Sequence, residues 1–324
     1  VANIATARFG GGGTSGGTNS VAAICSGGHP PRLTNTEEWS FPSTPNIQEG
    51  QIYIKTATGV SSVMKGYAAQ GTGSWATGGS MNTARFGNRN AGTQTAAITF
   101  GGNTPPVSAL NELYDGSSWT EVGDLNTARD NMGGLGTSTA ALAVGGNTGS
   151  RVAVNESWNG TAWTELNDLN TARKSLAAAG STTAAIAFAG DTPPISKLNE
   201  SWNGTSWTEV GDMNTARQLL MGGGTATSAL AVGGEITADS ALNESWDGTA
   251  WTELNDLNTA RRDGAAAIHD NTSGIVFGGT EPKKANTENW NGSSWTELGD
   301  LSAGVASNGG NGNSRLALNA GGDV

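Results

Sequence analysis

The sequence predicts an all-β protein assembled from one repeated four-stranded antiparallel unit. Three observations carry that prediction: a motif recurring at a constant step, short apolar runs closed by paired glycines, and an Asn-Gly or Asp-Gly turn flanked by aromatic residues. The step is 44: Arg85, Arg129, Arg173, Arg217 and Arg261 succeed one another at that interval (129 − 85 = 44), as do Trp75, Trp119, Trp163, Trp207, Trp251 and Trp295. A fixed period of this size marks units that bury their apolar faces only by stacking on one another. No segment shows helical periodicity.

Residues 129–172 serve as the type unit. After Arg129 the run Asp130-Asn-Met-Gly-Gly-Leu-Gly-Thr137 is small and glycine-rich, as a first strand in a crowded place requires. Thr139-Ala-Ala-Leu-Ala-Val-Gly145-Gly146 then reads as a buried second strand with a sharp exit. A loop leads to the third and fourth strands, Asn155-Glu-Ser-Trp158 and Trp163-Thr-Glu-Leu166, joined through Asn159-Gly160. A two-residue turn there sets Trp158 opposite Thr161 and Glu156 opposite Trp163. One face of the hairpin is then large and aromatic and the other small, which suits sheet stacking; each Trp buried in this way contributes roughly 2–3 kcal/mol. The exit Leu169-Asn-Thr-Ala-Arg173 opens the next copy.

The ends depart from the pattern. Near the start, Ala5-Thr-Ala-Arg8 is an exit motif, Val21 to Gly28 a second strand and Asn35-Thr-Glu-Glu-Trp39 a third; residues 41–74 then carry an extra hairpin (Gln51 to Lys55, Ser62 to Tyr67) as an insertion or a degenerate blade. Near the end, Leu301-Ser-Ala-Gly replaces the exit motif, and Ser314 to Gly322 supplies only a second strand. Strands from the two termini are therefore expected to complete one unit and close a ring, which removes an unpaired edge. Seven periods occupy 7 × 44 = 308 of the 324 residues, so seven units are expected, with six as the alternative, in a single domain spanning 1–324. Val1 in place of an initiating Met reads as a processed or partial chain.

The glycine pair after strand two, the Trp opening strand four, and the phrases Asn-Glu-Ser-Trp-Asn-Gly-Thr-x-Trp-Thr-Glu and Leu-Asn-Thr-Ala-Arg resemble kelch repeats. The likeness is to the Asn/Gly/Thr-rich kelch-like proteins of marine bacteriophages and marine bacteria, and it covers residues 75 to 301 closely. It implies a kelch-like β-propeller, and a virion or extracellular location for a tail-fibre, decoration or attachment protein. Its ligand would be a glycan or protein on a host surface, or another virion protein. In that geometry the loop between strands two and three and the exit motif share one face, and the Asn-Gly turns lie on the other.

Composition limits the function classes. A formal charge of −11 with only 17 Lys plus Arg argues against nucleic acid as a partner. No apolar run approaches the roughly 20 residues of a membrane helix. One cysteine, Cys25, and two histidines, His29 and His269, offer no metal set and no triad, so no metal, cofactor or catalytic residue is assigned and the protein is read as non-enzymatic. The copper chemistry of some kelch propellers needs Tyr, His and a Tyr–Cys crosslink, and Tyr53, Tyr67, Tyr114 and Cys25 show no such arrangement. A polysaccharide-degrading site at the channel mouth stays as the alternative, as does a purely architectural role. Homo-oligomerisation is left open.

Two readings of the exit arginines stand: a ring of guanidinium groups around the channel that holds an anion, or scaffold cations bonded to backbone carbonyls and a neighbouring carboxylate. Their recurrence, and that of Trp119, Trp163, Trp207, Trp251 and Trp295, favours scaffold. Glu112, Glu156, Glu200, Glu244 and Glu288 also recur, whereas glycosidase chemistry needs one facing pair. What varies is the loop between strands two and three and the residue after each Arg. Candidate ligand contacts are therefore Arg32, Arg151, Lys197, Asp239, Lys283 and Lys284 from the loops, with Asp130, Lys174, Gln218 and Arg262 beside the exits.

Overall fold

Each copy of the repeat folds as four short strands because its apolar runs are only four to six residues long and end in glycines with positive φ, such as Gly145 and Gly146 at 62° and 116°. The computed structural model describes residues 73–280 and 282–320, together with five short strands nearer the start. Those are β1 (Phe9–Gly10), β2 (Thr14–Ser15), β3 (Thr36–Ser40), β4 (Ile52–Lys55) and β5 (Val63–Gly66), followed by β6 (Ser74–Gly78).

Five four-stranded antiparallel sheets then run in chain order. The first holds β7 (Arg89–Thr93), β8 (Ala96–Phe100), β9 (Asn111–Tyr114) and β10 (Trp119–Val122). The second holds β11 (Gly133–Thr137), β12 (Ala140–Val144), β13 (Asn155–Trp158) and β14 (Trp163–Leu166). The third holds β15 (Ala177–Gly180), β16 (Ala185–Phe188), β17 (Asn199–Trp202) and β18 (Trp207–Val210). The fourth holds β19 (Met221–Thr225), β20 (Ser228–Val232), β21 (Asn243–Trp246) and β22 (Trp251–Glu253). The fifth holds β23 (Ala265–Asp270), β24 (Ser273–Phe277), β25 (Thr287–Trp290) and β26 (Trp295–Glu297). The chain finishes with β27 (Ala306–Ser307), β28 (Gly309–Asn313) and β29 (Leu316–Ala320). First strands lie side by side, β7 against β11, β11 against β15, β15 against β19 and β19 against β23. These sheets are the blades of a β-propeller.

The blade count corrects the expectation from length. The structure has five four-stranded blades, not seven or six. Dividing by 44 credits the two ends with separate blades, but their strands share one five-stranded sheet in the order β2-β28-β29-β3-β6. Strands β4 and β5 pair only with each other, in antiparallel register from Ile52↔Gly66 to Lys55↔Val63. The second strand expected at Val21 to Gly28 lies outside the described residues.

Register in the outer hairpins is also different from expectation. Trp158 stands opposite Trp163, and Glu156 opposite Glu165, so the connection has four residues rather than two. A two-residue type I′ turn needs positive φ at both positions, and only Gly160 has it, at 95°. The Asn159 side chain shapes the connection instead: its Oδ1 accepts from the Thr161 N–H (2.9 Å), the Thr161 hydroxyl (2.7 Å) and the Ala162 N–H (3.0 Å). Asp247 and Asp115 do the same in their blades.

The core is a series of junctions between blades. Trp158 and Trp163 face one another with centroids 5.7 Å apart, and Trp163 meets Phe100 of the preceding blade edge-on at 4.9 Å. Ala91, Ile98, Leu125, Met132, Ala141 and Ala143 complete that cluster. Phe188 needs an inner-strand glycine opposite it: a Cβ on Gly222 would lie 2.8 Å from the Phe188 ring.

Candidate functional site

The exit motif and the third strand make one clamp, repeated in all five four-stranded blades. In the second blade, Glu156 Oε1 accepts from Arg129 Nη1 at 2.8 Å and from the Thr127 N–H at 3.2 Å. Its Oε2 accepts from the Asn126 N–H at 2.7 Å and the Asn126 side-chain amide at 2.8 Å. The carboxylate therefore staples the connector leaving one blade to the third strand of the next. Equivalent pairs are Arg85–Glu112 (2.6 Å), Arg173–Glu200 (2.8 Å), Arg217–Glu244 (3.0 Å) and Arg261–Glu288 (2.6 Å), all with side chains no more than 1% exposed. The Nη groups also reach backbone carbonyls, as those of Arg173 do to Ala187, Ala189 and Leu198.

Burial lowers the pKa of each of these arginines, opposed by the paired Glu. Arg217 falls to about 10. Two further carboxylates per blade act on the same cation, for example Glu209 and Asp212 on Arg173. The repeated acids and cations are thus consumed by one another inside the blades rather than presented as a ring around the channel.

The exit motif and the loop between strands two and three share a face, as isolated bridges show: Phe86↔Asn103, Asp130↔Asn147, Lys174↔Asp191, Gln218↔Glu235 and Arg262↔Thr280. The Asn-Gly turns sit at the other end, with Gly160 beside Thr139 of the turn between strands one and two. Five of the candidate ligand residues are joined in ion pairs across neighbouring loops. Both Asp191 oxygens lie 2.7 Å from Arg151 Nη2, and Lys174 approaches at 3.9 Å. Arg262 bridges Glu235 (2.8 Å) and Asp239 (3.5 Å), and Lys284 reaches Asp239 at 2.9 Å. Gln218 donates to Glu235, and Asp130 accepts from the side chains of Asn103, Asn131 and Asn147. Lys197 stays half exposed, 3.7 Å from Asp212. Lys283 is partly buried in the last of these loops, and Arg32 lies outside the described residues.

Sequence reasoning missed the anions, Asp191 and Glu235, although each stands in a variable loop. It also missed the tips. Pro105-Pro106, Gly149-Ser150, Pro193-Pro194, Ile236 to Ala238 and Pro282 are exposed, one tip per blade, and Ile236 is the exposed large hydrophobic residue among those described.

A second missed feature lies two residues beyond each exit. Gly87, Asn131, Ser175, Leu219, Asp263 and Ser307 all have φ between 47° and 65°. The Asn131 N–H donates to the Gly87 carbonyl (2.8 Å), Ser175 to Asn131 (2.7 Å), Leu219 to Ser175 (3.0 Å), Asp263 to Leu219 (2.8 Å), and Ser307 to Asp263. These bonds lace the starts of successive inner strands together, and no side-chain pattern announces them. Below them, Arg89, Gly133, Gly134, Leu176 and Met221 line a cavity of about 20 Å³, room for roughly one water. Among the described residues no group of three or more His, Cys, Asp or Glu is placed to hold a metal ion.

A scan of protein-family models finds none that matches the chain, and a search of curated proteins finds no match either.

Proposed function

We propose that the protein is a kelch-like propeller that binds through its loop face, without catalysis, at a virion or extracellular surface, and that its ligand is a glycan or protein on a host surface. The observation that carries this reading is the contrast between the ends of the blades. At one end every blade repeats the same Asx-stabilised turn, whereas at the other the exposed tips vary, with a Thr-Pro-Pro tip shared by the first and third blades and different tips on the second, fourth and fifth. Ion pairs between adjacent loops, Arg151–Asp191 and Lys284–Asp239, fix those tips relative to one another, and preorganisation lowers the entropic cost of binding. The repeated carboxylates are held against arginines, which leaves no facing pair of free acids among Glu112, Glu156, Glu200, Glu244 and Glu288.

The five-stranded sheet is, on this reading, the element that closes the ring between the fifth blade and the first. Support comes from β28, which lies against β23 on one side and β7 on the other. One observation favours a purely architectural role instead: the loop cations pair with the protein's own carboxylates. A glycan array probed with labelled protein separates the two. Binding that is lost in Ile236→Asp combined with Lys197→Glu supports recognition. The absence of binding to any glycan or to intact marine bacterial cells supports architecture.

A further inference from the structure

The dipeptide Asn-Gly occurs in two settings in this chain. Three copies, Asn159-Gly160, Asn203-Gly204 and Asn291-Gly292, form turns between the third and fourth strands of their blades, each with an exposed asparagine. Two more, Asn308-Gly309 and Asn311-Gly312, lie at the start of β28 and within it. There both asparagines are fully buried, and both glycines stand in the ladder, as Gly309↔Ala320 and Gly312↔Ala317.

Each turn holds the parts of a reaction between its own two residues. The backbone nitrogen of the glycine is close along the chain to the asparagine Cγ, and glycine brings no Cβ to hinder its approach. Among the described residues no group accepts a hydrogen bond from the N–H of Gly160, Gly204 or Gly292. Donors converge instead on the asparagine Oδ1. Asn159 Oδ1 accepts from the Thr161 N–H at 2.9 Å, the Thr161 hydroxyl at 2.7 Å and the Ala162 N–H at 3.0 Å. Asn291 Oδ1 accepts from the Ser293 N–H at 2.9 Å, the Ser293 hydroxyl at 3.0 Å and the Ser294 N–H at 2.9 Å. Asn203 Oδ1 accepts from two donors, the Thr205 and Ser206 N–H groups, both at 2.9 Å. Donors at such distances stabilise the negative charge that develops on this oxygen when a nucleophile adds to Cγ. At the start of β28 the arrangement is reversed, since Asn308 Oδ1 is buried without a donor.

We propose that Asn159, Asn203 and Asn291 are sites of self-modification, at which the folded protein converts a side-chain amide into a carboxylate. The glycine nitrogen gives up its proton and bonds to Cγ. The Cγ–Nδ2 bond breaks, and Nδ2 departs with that proton as ammonia, leaving a five-membered imide. Water then opens the ring, at Cγ to give Asp or at the main-chain carbonyl to give isoaspartate. Asp115-Gly116 and Asp247-Gly248 show that the turn accommodates Asp, because their Oδ1 atoms accept from the same positions. Their glycine φ values of 95° and 98° match the 95°, 91° and 93° of Gly160, Gly204 and Gly292. Each conversion adds one negative charge at the uniform end of the blades and none on the loop face.

The order of reaction follows the donors, with Asn159 and Asn291 ahead of Asn203, and Asn308 and Asn311 unreacted. The test holds the full chain in mildly alkaline buffer, confirms the fold by tryptophan fluorescence, and follows each asparagine by peptide mapping and mass spectrometry. Thr161→Val removes one donor at an exposed position. It should slow Asn159 at least threefold and leave Asn203 and Asn291 at their wild-type rates. Turn asparagines that react no faster than Asn308 and Asn311 overturn the proposal. So does an Asn159 rate unchanged by Thr161→Val, or an Asn203 that leads the other two.

Discussion

Replacing Glu200 by alanine strands the Arg173 guanidinium inside the third blade. Both side chains are 0% exposed and 2.8 Å apart, so the variant leaves a buried charge without its counter-ion. Breaking one partner of such a pair costs about 3–5 kcal/mol. Arg173 keeps its bonds to the Ala187, Ala189 and Leu198 carbonyls and the field of Asp212 and Glu209, which places the loss near the lower end, about 3 kcal/mol. The Asn170 N–H and side-chain amide also lose their acceptor, but they are only part-buried and water replaces it. Arg173→Met with Glu200→Leu removes both charges and orphans the carbonyls together with the part-buried Asn170 donors that water reaches, at about 1–2 kcal/mol. Urea unfolding followed by tryptophan fluorescence measures both. A single variant that loses less than about 1 kcal/mol, or a double variant less stable than the single, would refute the clamp as the link between blades.

Three further outcomes follow from the geometry. Gly222→Ala drives a Cβ to 2.8 Å from the Phe188 ring and 2.9 Å from the Ala177 Cβ, and lowers stability by about 1–3 kcal/mol in the same unfolding assay. Ser175→Gly relieves a φ of 55° that Gly87 shows a glycine can occupy, and raises the urea midpoint by about 0.5–1 kcal/mol of stability. Carbon-13 NMR should find the Asp115 and Asp247 carboxyls titrating near 2 rather than 3.8, because Ser118 and Ser117 N–H groups hold the first and the Thr249 hydroxyl and Ala250 N–H the second. A depressed carboxylate pKa stabilises the fold above the ordinary value. The contribution of these two turns therefore disappears as pH falls from about 3.8 to about 2, and Asp247→Asn removes its share of that acid sensitivity.

The fold was largely legible because stacking imposes its period on the sequence: Trp and Asn-Thr-Ala-Arg solve the same local problem in every copy, and the glycine pair does so in all but the third blade, where Ala189 takes the first place at a φ of 61°. The turn length was not, since Asn159 shapes the connection with its side chain where the Asn-Gly dipeptide suggests a backbone turn. Blade number escaped a count of residues because strands from both ends of the chain share one five-stranded sheet. At the candidate site the cations were visible as departures from the repeat. Their partners were not, because Arg151 and Asp191 are 40 residues apart and meet only through the angle between blades. The chain of positive-φ residues left no trace, since Gly, Asn, Ser, Leu and Asp all occupy it.

The loop-face reading is tested most directly by attachment of labelled protein to marine bacterial cells, with variants confined to one end of the blades. Asn159→Asp and Asn203→Asp alter the turn end with residues that Asp115 and Asp247 show the turn accepts, and should leave attachment unchanged. Ile236→Asp with Lys197→Glu alters two exposed loop positions and should abolish it. Equal attachment by both variants, or loss confined to the turn-end variant, contradicts the account.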